Sequence, residues 1–251
     1  MPHACANGEF EGRVIVVTRP AGTGSAFARQ VRARGGVPLL LPGLALRAAE
    51  DSELARAQLR EALRADELLL FTSPAAVRFA AALVPLHTRA TVLAVGQGTA
   101  AALRRRGLVV QAPTQRQDSE GLLDLPALRD VRGRGVALVG AAGGRGLLQQ
   151  RLADGGARLR EVTVYRRAAP RLDRRHVQAL LQLPAGARVL LSSEQALANL
   201  RDGLPMQAWV RLRNAVAVAS SERLEAAARA AGFRHVRRAA SAMPADLLAA
   251  C

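Results

Sequence analysis

Two pairs of hydroxyl residues, Thr72-Ser73 and Ser192-Ser193, stand where an apolar run gives way to an amphipathic one. The surrounding segments read LLLFTSPAAVRFAAAL over residues 68–83 and VLLSSEQALANLRDGL over residues 189–204. This is how a buried parallel strand hands over to a helix. The helix start carries N–H groups without intrahelical partners and a partial positive charge. Such junctions are where α/β proteins hold ligands, anions above all. The turns from Gly96 to Thr99 and at Ser220-Ser221 have the same makeup. The plainer alternative is that these hydroxyls only cap their own helices, worth about 0.5 to 2 kcal/mol each.

Tyr165 is the only tyrosine of the chain, inside the apolar stretch REVTVYRRAAP. On composition alone it reads as a core residue with its hydroxyl satisfied. Arg19 in TRP, Arg145 in GGRG and Arg167 in YRR occupy motif positions where a guanidinium could pair bidentately with a carboxylate. They are hard to single out, because all 36 basic residues are arginine and none is lysine. With abundant alanine, that points to a codon bias which inflates arginine everywhere. The four histidines (His3, His87, His176 and His235) and the cysteines Cys5 and Cys251 show no metal-ligand spacing.

The elements that must position these residues repeat. GRVIVVTRPAGTGSAFARQVRARGG (12–36) resembles GRGVALVGAAGGRGLLQQRLADGG (133–156), and TVLAVGQGTAAALRRRG (91–107) corresponds to AVAVASSERLEAAARAAG (215–232). With the pair above, three matches in one order imply a duplicated α/β unit. Strands are expected near residues 13–18, 37–41, 67–71, 91–95, 135–139, 161–165, 188–192, 214–218 and 234–238, with helices filling most gaps. Regular alternation argues for parallel sheets covered on both faces. The extended segments 37–47 and 160–170 break the rhythm and read as paired connectors.

A chain of 251 residues with 50% hydrophobic content can bury two modest cores. No apolar stretch is long enough to cross a bilayer. The opening MPHACANGEFEGR has no apolar block, which makes a cytoplasmic address the expectation. A net charge of +16 raises nucleic acid as a partner, but 3% aromatic content leaves little for base stacking. The glycine-rich RPAGTGSA lacks either phosphate-loop pattern. A basic cleft for a small polyanion remains compatible with the charge.

VIVVTRP at 14–20, FTSPAAV at 71–77, AVGQGTAAAL at 94–103, SEGLL at 119–123, VTVYRR at 162–167, SSEQALANL at 192–200 and VASSERL at 218–224 together resemble the uroporphyrinogen-III synthase family. The resemblance runs nearly the whole chain, through the terminal SAMPADLLAA, and rests on number, order and spacing rather than on any single motif. It implies two parallel-sheet, flavodoxin-like α/β lobes joined by a two-stranded β connector. Residues 1–40 with 169–251 would form one lobe and 46–160 the other, with the active site in the interlobe cleft.

The implied substrate is hydroxymethylbilane, four linked pyrroles with acetate and propionate arms. The implied reaction is loss of water, attack through the substituted carbon of the last ring to a spiro intermediate, and reclosure with that ring inverted, giving uroporphyrinogen III. Thr72, Ser73, Gly96, Thr99, Ser192, Ser193, Ser220 and Ser221, with Arg19, Arg145 and Arg167, would hold the carboxylates. Tyr165 would assist departure of the terminal hydroxyl as a general acid. No cofactor is implied, and the family usually acts as a monomer.

A transient contact with hydroxymethylbilane synthase is expected, and no membrane or nucleic-acid partner. Two departures stand out. Some members carry arginine where this chain has Ala75, with Arg78 about a turn later. In VASSERL, Ser221 and Leu224 replace a glycine and a threonine. The alternatives are a two-lobed binding protein for a small polyanion, without chemistry, and a basic nucleic-acid-binding module, which would show strongly salt-dependent affinity.

Overall fold

The computed structural model describes residues 9–143 and 146–251. In chain order the elements are β1 (Val14–Val17), α1 (Ser25–Ala33), β2 (Val37–Leu40), β3 (Ala45–Ala48), α2 (Ser52–Ala65), β4 (Leu68–Phe71), α3 (Pro74–Leu83), β5 (Thr91–Ala94), α4 (Gln97–Arg104) and β6 (Val110–Gln111). They continue with α5 (Ser119–Leu123), β7 (Gly135–Ala141), α6 (Leu147–Asp154), β8 (Arg158–Ala168), α7 (Arg174–Leu181), β9 (Arg188–Leu191), α8 (Glu194–Gly203), α9 (Met206–Arg213), β10 (Val216–Ala219), α10 (Glu222–Ala230), β11 (His235–Arg238) and α11 (Pro244–Ala249). Every expected strand is present. β3 falls in the segment 37–47 expected to be extended, while β6 was not anticipated, its two residues leaving no room for an alternating pattern.

The chain forms two compact units, one of residues up to Ala45 together with Ala168–Cys251, the other Leu46–Arg167. The first holds a five-stranded sheet in the order β11-β10-β9-β1-β2. Its adjacent strands all run parallel, from Val14 against Val37 at one side to Val216 against His235 at the other. Numbered within the unit this order is 2-1-3-4-5, the flavodoxin-like winding. One face of the sheet, carrying Val16, Val189, Leu191 and Ala217, packs with Leu180, Leu200, Trp209 and Ala228 of the covering helices. The other, with Ile15, Val17, Leu190 and Val218, packs on Phe27, Val31, Leu247 and Leu248.

The second unit holds a six-stranded sheet, β3-β8-β7-β4-β5-β6. Its central strand β4 is buried at all four positions, so Leu69 and Phe71 serve one core while Leu68 and Leu70 serve the other. A continuous apolar run is what a parallel strand covered on both faces requires. The segments read as connectors both carry strands of these sheets: 37–47 contains β2 in the first and β3 in the second, and most of 160–170 is the end of β8.

Helix boundaries obey local chemistry. Ser73 caps α3 and Pro74 fills its first position, where the missing N–H costs nothing. Asp51 caps α2, and Asp173 with His176 forms a capping box on α7. Among the described residues no helix is long and apolar enough to cross a membrane, and no group of three or more His, Cys, Asp or Glu is placed to hold a metal.

Candidate functional site

In the six-stranded sheet the winding reverses between β4 and β7: from β4 the chain proceeds outward to β5, from β7 outward to β8. Connections leave the sheet in opposite directions there, which opens a crevice beyond the carboxyl ends of the two strands. A cavity of about 180 Å³ occupies that place, lined by Thr72 and Ser73 after β4, Gly140 and Ala141 of β7, and Tyr165 and Arg167 of β8.

Thr72 closes the crevice floor. Both its backbone N–H, at 3.1 Å, and its hydroxyl, at 3.3 Å, donate to the carbonyl of Val139 across the strand pair. A Cβ on Gly140 would come within less than contact distance of that hydroxyl, so glycine here leaves room for Thr72 between the two strands.

Tyr165 reaches the cavity through a bulge. The β7–β8 register runs Gly140 opposite Thr163 and then Ala141 opposite Tyr165, leaving Val164 as the extra residue. An extra residue reverses the facing of the strand beyond it. Val162, Val164 and Tyr165 therefore all join one core, and Tyr165 is 5% exposed. Its ring stacks on Phe79 of α3, with centroids 5.4 Å apart and planes 11° from parallel. The Arg78 guanidinium carbon sits 4.9 Å from the Phe79 centroid, a cation–π distance. The phenolic oxygen lies 3.1 Å from Ser73 Oγ, which also accepts the Ala76 N–H at 3.0 Å.

The remaining lining is mixed in charge. Arg167 donates to the carbonyl of Gly143 at 3.4 Å. Glu161 and Gln149, which no sequence motif singled out, also line the cavity, with Gln149 Nε2 3.3 Å from a Glu161 carboxylate oxygen. A carboxylate in a pocket expected to be anion-binding has no motif signal. Only the strand register brings Glu161 there. Arg145 lies outside the described residues.

Each expected hydroxyl pair divides its labour in the same way. Ser73, Ser193 and Ser221 are the N-caps of α3, α8 and α10. Thr72, Ser192 and Ser220 are the preceding residues, just after strands β4, β9 and β10. At Gly96, the N-cap of α4, the Gln97 N–H donates at 3.1 Å to the side chain of Gln117, so one N–H expected for a ligand is already taken. Gln117 can approach because Gly96 has no Cβ, which would sit 3.1 Å from its Cβ. Thr99 is buried in this helix at 2% exposure. Next to this loop the Asp118 carboxyl is held below the usual carboxylate range, first by the N–H of Gly121.

The five-stranded sheet reverses between β1 and β9. Thr18 after β1 donates to the Leu190 carbonyl at 2.6 Å, and Ser192-Ser193 come directly after β9. Arg19 donates to the carbonyl of Ala242 at 2.7 Å and lies 5.7 Å from the Phe27 ring centroid, while burial lowers its pKa. Part of its donor set, expected for carboxylates, is thus committed within the unit. Thr72, Ser73, Tyr165 and Arg167 line one cavity. Gly96 and Thr99 belong to a junction further out in the same sheet, and Arg19, Ser192, Ser193, Ser220 and Ser221 to the other unit.

Chemically, the cavity in the six-stranded unit offers a buried phenol on a rigid stack, hydrogen-bonded to a helix-capping hydroxyl. Such a group can deliver a proton to a leaving oxygen. Comparison with known proteins is concordant. Residues 25–249 match the family model described as uroporphyrinogen-III synthase HemD. The uroporphyrinogen-III synthase of Salmonella typhimurium is 29% identical over 237 residues, covering 91% of this chain and 95% of the relative. The uroporphyrinogen-III synthetase of Helicobacter pylori superposes with a TM-score of 0.61 at 14% identity, over 94% of this chain and 97% of its own. A mutant uroporphyrinogen III synthase of Thermus thermophilus superposes with a TM-score of 0.57 at 23% identity, over 95% of this chain and 97% of its own.

Proposed function

Because the chain belongs to the uroporphyrinogen-III synthase family, we propose that it cyclises hydroxymethylbilane to uroporphyrinogen III with Tyr165 as the acid that releases the terminal hydroxyl. The observation that carries the assignment of Tyr165 is its hydroxyl at the switch-point cavity, 3.1 Å from Ser73 Oγ. The pyrrole nitrogen's electron pair forms the exocyclic double bond as the carbon–oxygen bond breaks. The oxygen takes the phenolic proton and leaves as water. The proton later lost from the carbon at which the macrocycle closes returns to the phenolate, so the cycle needs no other reagent.

About 180 Å³ is less than the 300–1,000 Å³ typical of whole-ligand sites, so this cavity takes one ring or arm of the bilane. Arg167 and Thr72 are proposed to meet its carboxylates. Gly96, Thr99, Ser192, Ser193, Ser220, Ser221, Arg19 and Arg145 remain proposed contacts for other arms of the substrate. Spontaneous closure gives the uninverted isomer, so the enzyme's task is to favour one transition state over a competing one. That competition also makes a transient hand-over from hydroxymethylbilane synthase useful. The proposal further takes the protein as a cytoplasmic monomer.

The test supplies freshly generated hydroxymethylbilane, oxidises the products and separates type I from type III uroporphyrin. Type III should predominate. Tyr165→Phe should lower kcat roughly 10²-fold, the low end for a positioned acid, because an electron-rich pyrrole expels hydroxide with little help. Type I alone, formed at the rate seen without protein, would overturn the proposal.

A further inference from the structure

We propose that Ser73 is a positioning residue for Tyr165 rather than a contact to substrate: it donates its hydroxyl proton to the phenolic oxygen and so turns the phenolic proton into the cavity. This deepens the reading above and rests on Tyr165 being the acid.

Two oxygens 3.1 Å apart share one hydrogen bond, and either could donate. Their other partners decide between them. Ser73 Oγ accepts the Ala76 N–H at 3.0 Å as the N-cap of α3, so one of its lone pairs is used by the helix. A serine hydroxyl has one proton and two lone pairs. Among the described residues, the acceptor within reach of that proton is the Tyr165 oxygen. If Tyr165 donated instead, the serine proton would have no such acceptor, and the tyrosine proton would be spent on Ser73. Donation by Ser73 satisfies the serine and leaves the phenolic O–H unspent at the cavity wall.

The stack makes this orientation binding. A phenolic hydrogen prefers the plane of its ring, which gives it two positions, one on either side of the C–O bond. Phe79, nearly parallel at 11° and 5.4 Å, fixes that plane, and Ser73 occupies one side. Tyr165 and Ser73 both line the cavity, so a phenolic proton not spent on Ser73 can meet a group bound there. When the proton leaves, the Ser73 O–H already points at the phenolate oxygen and needs no reorganisation, which is the condition for electrostatic stabilisation in a dry site. A hydrogen bond to a charged partner is worth more than one between neutral groups, so its benefit appears in the transition state rather than on binding.

The experiment compares kcat and KM of the full chain with Ser73→Ala, Ser73→Thr and Ser73→Asp, each also combined with Tyr165→Phe, and checks folding by thermal melts. Ser73→Ala should lower kcat about 10-fold with KM nearly unchanged. Ser73→Thr keeps cap and donor and should restore most of kcat. Ser73→Asp keeps the cap, since aspartate accepts the helix N–H as well as serine does, but it cannot donate. It should therefore melt like the parent and still lose at least as much kcat as Ser73→Ala. In the Tyr165→Phe background Ser73→Ala and Ser73→Thr should leave kcat unchanged, whereas the Ser73→Asp carboxylate raises KM for the polyanionic substrate in either background. A raised KM at constant kcat in Ser73→Ala would overturn the inference and make Ser73 a substrate contact, as would full kcat in Ser73→Asp or additivity of Ser73→Ala with Tyr165→Phe. If Tyr165→Phe itself retained full kcat, the acid assignment would fall instead.

Discussion

Gly140 and Thr72 provide a quantitative check on the switch point. In Gly140→Ala the new Cβ falls on the Thr72 hydroxyl, too close for any real contact, while the Thr72 Cβ and Cγ2 lie at an ordinary 3.5 Å. The backbone of Gly140 is not in the left-handed region, so the cost is steric and not conformational. Overpacking of this kind costs about 1–3 kcal/mol, and losing the hydroxyl's bond to Val139 adds about 1 kcal/mol. Thr72→Ala alone forfeits only the hydrogen bond, about 1 kcal/mol, since its backbone N–H still donates to Val139. In the double variant the clash has nothing to meet, and the total should fall back towards the cost of Thr72→Ala alone. The coupling should therefore equal the whole cost of Gly140→Ala, about 2–4 kcal/mol in favour of the pair, well beyond what independent sites show. Differential scanning calorimetry reads this directly, since about 1 kcal/mol moves Tm by roughly 2–4 °C in a protein of this size. Additive shifts would refute the geometry. Type III formation should decline in the same order, because the clash opens the strand pair that carries Ser73.

Phe79→Leu keeps an apolar contact but removes the flat partner of Tyr165, and should lower kcat about 3- to 10-fold with little change in KM, a stacked pair being worth about 0.5–1.5 kcal/mol. Steady-state kinetics on the bilane would show it, and an unchanged kcat would mean the stack does not orient the phenol. Burial pushes the Cys251 thiol from 9.0 up to about 11, and its Sγ lies 3.4 Å from the Leu247 carbonyl. Its thiolate fraction at pH 8 is thus about 100-fold below that of an ordinary thiol, and iodoacetamide should label it about that much more slowly in the folded protein than in the unfolded one, read by peptide mass spectrometry. Here the folded pKa is raised, so this group's contribution to stability is complete below pH 9 and is lost as pH climbs towards 11.

The order of strands and helices was legible because each element carries its own punctuation. The helix expected at 147–154 with a closing glycine pair is α6, Leu147–Asp154, with Gly156 just beyond it at φ +77°. β3 was legible only as part of the extended segment 37–47, and β6 not at all, being an edge strand of two residues with no apolar run of its own. In the site, hydroxyls at helix starts could be read off directly, and so could the singularity of Tyr165. Which face Tyr165 takes could not, since that depends on the bulge at Val164, a property of the β7–β8 pairing. Glu161, Gln149 and Phe79 were missed because strand pairing and helix packing bring them there from segments with no shared spacing. Gln117 was missed because a side chain filling a helix start 20 residues away leaves no trace in spacing.

The repeat shows why the chemistry had to be assembled from distant segments. Its first copy supplies β1, β4 and β5 and its second β7, β9 and β10, yet β1 lies in the sheet of β9 and β10, and β7 in the sheet of β4 and β5. The copies have exchanged their leading strands. In each sheet the winding reverses where the exchanged strand meets its new neighbours, at β1 beside β9 and at β7 beside β4. A switch-point crevice in this chain is therefore always walled by one segment from each copy. Thr72 meets Val139 across 67 residues and Ser73 meets Tyr165 across 92. Neither copy holds both Ser73 and Tyr165, so their hydrogen bond arises only once the exchanged sheet has formed.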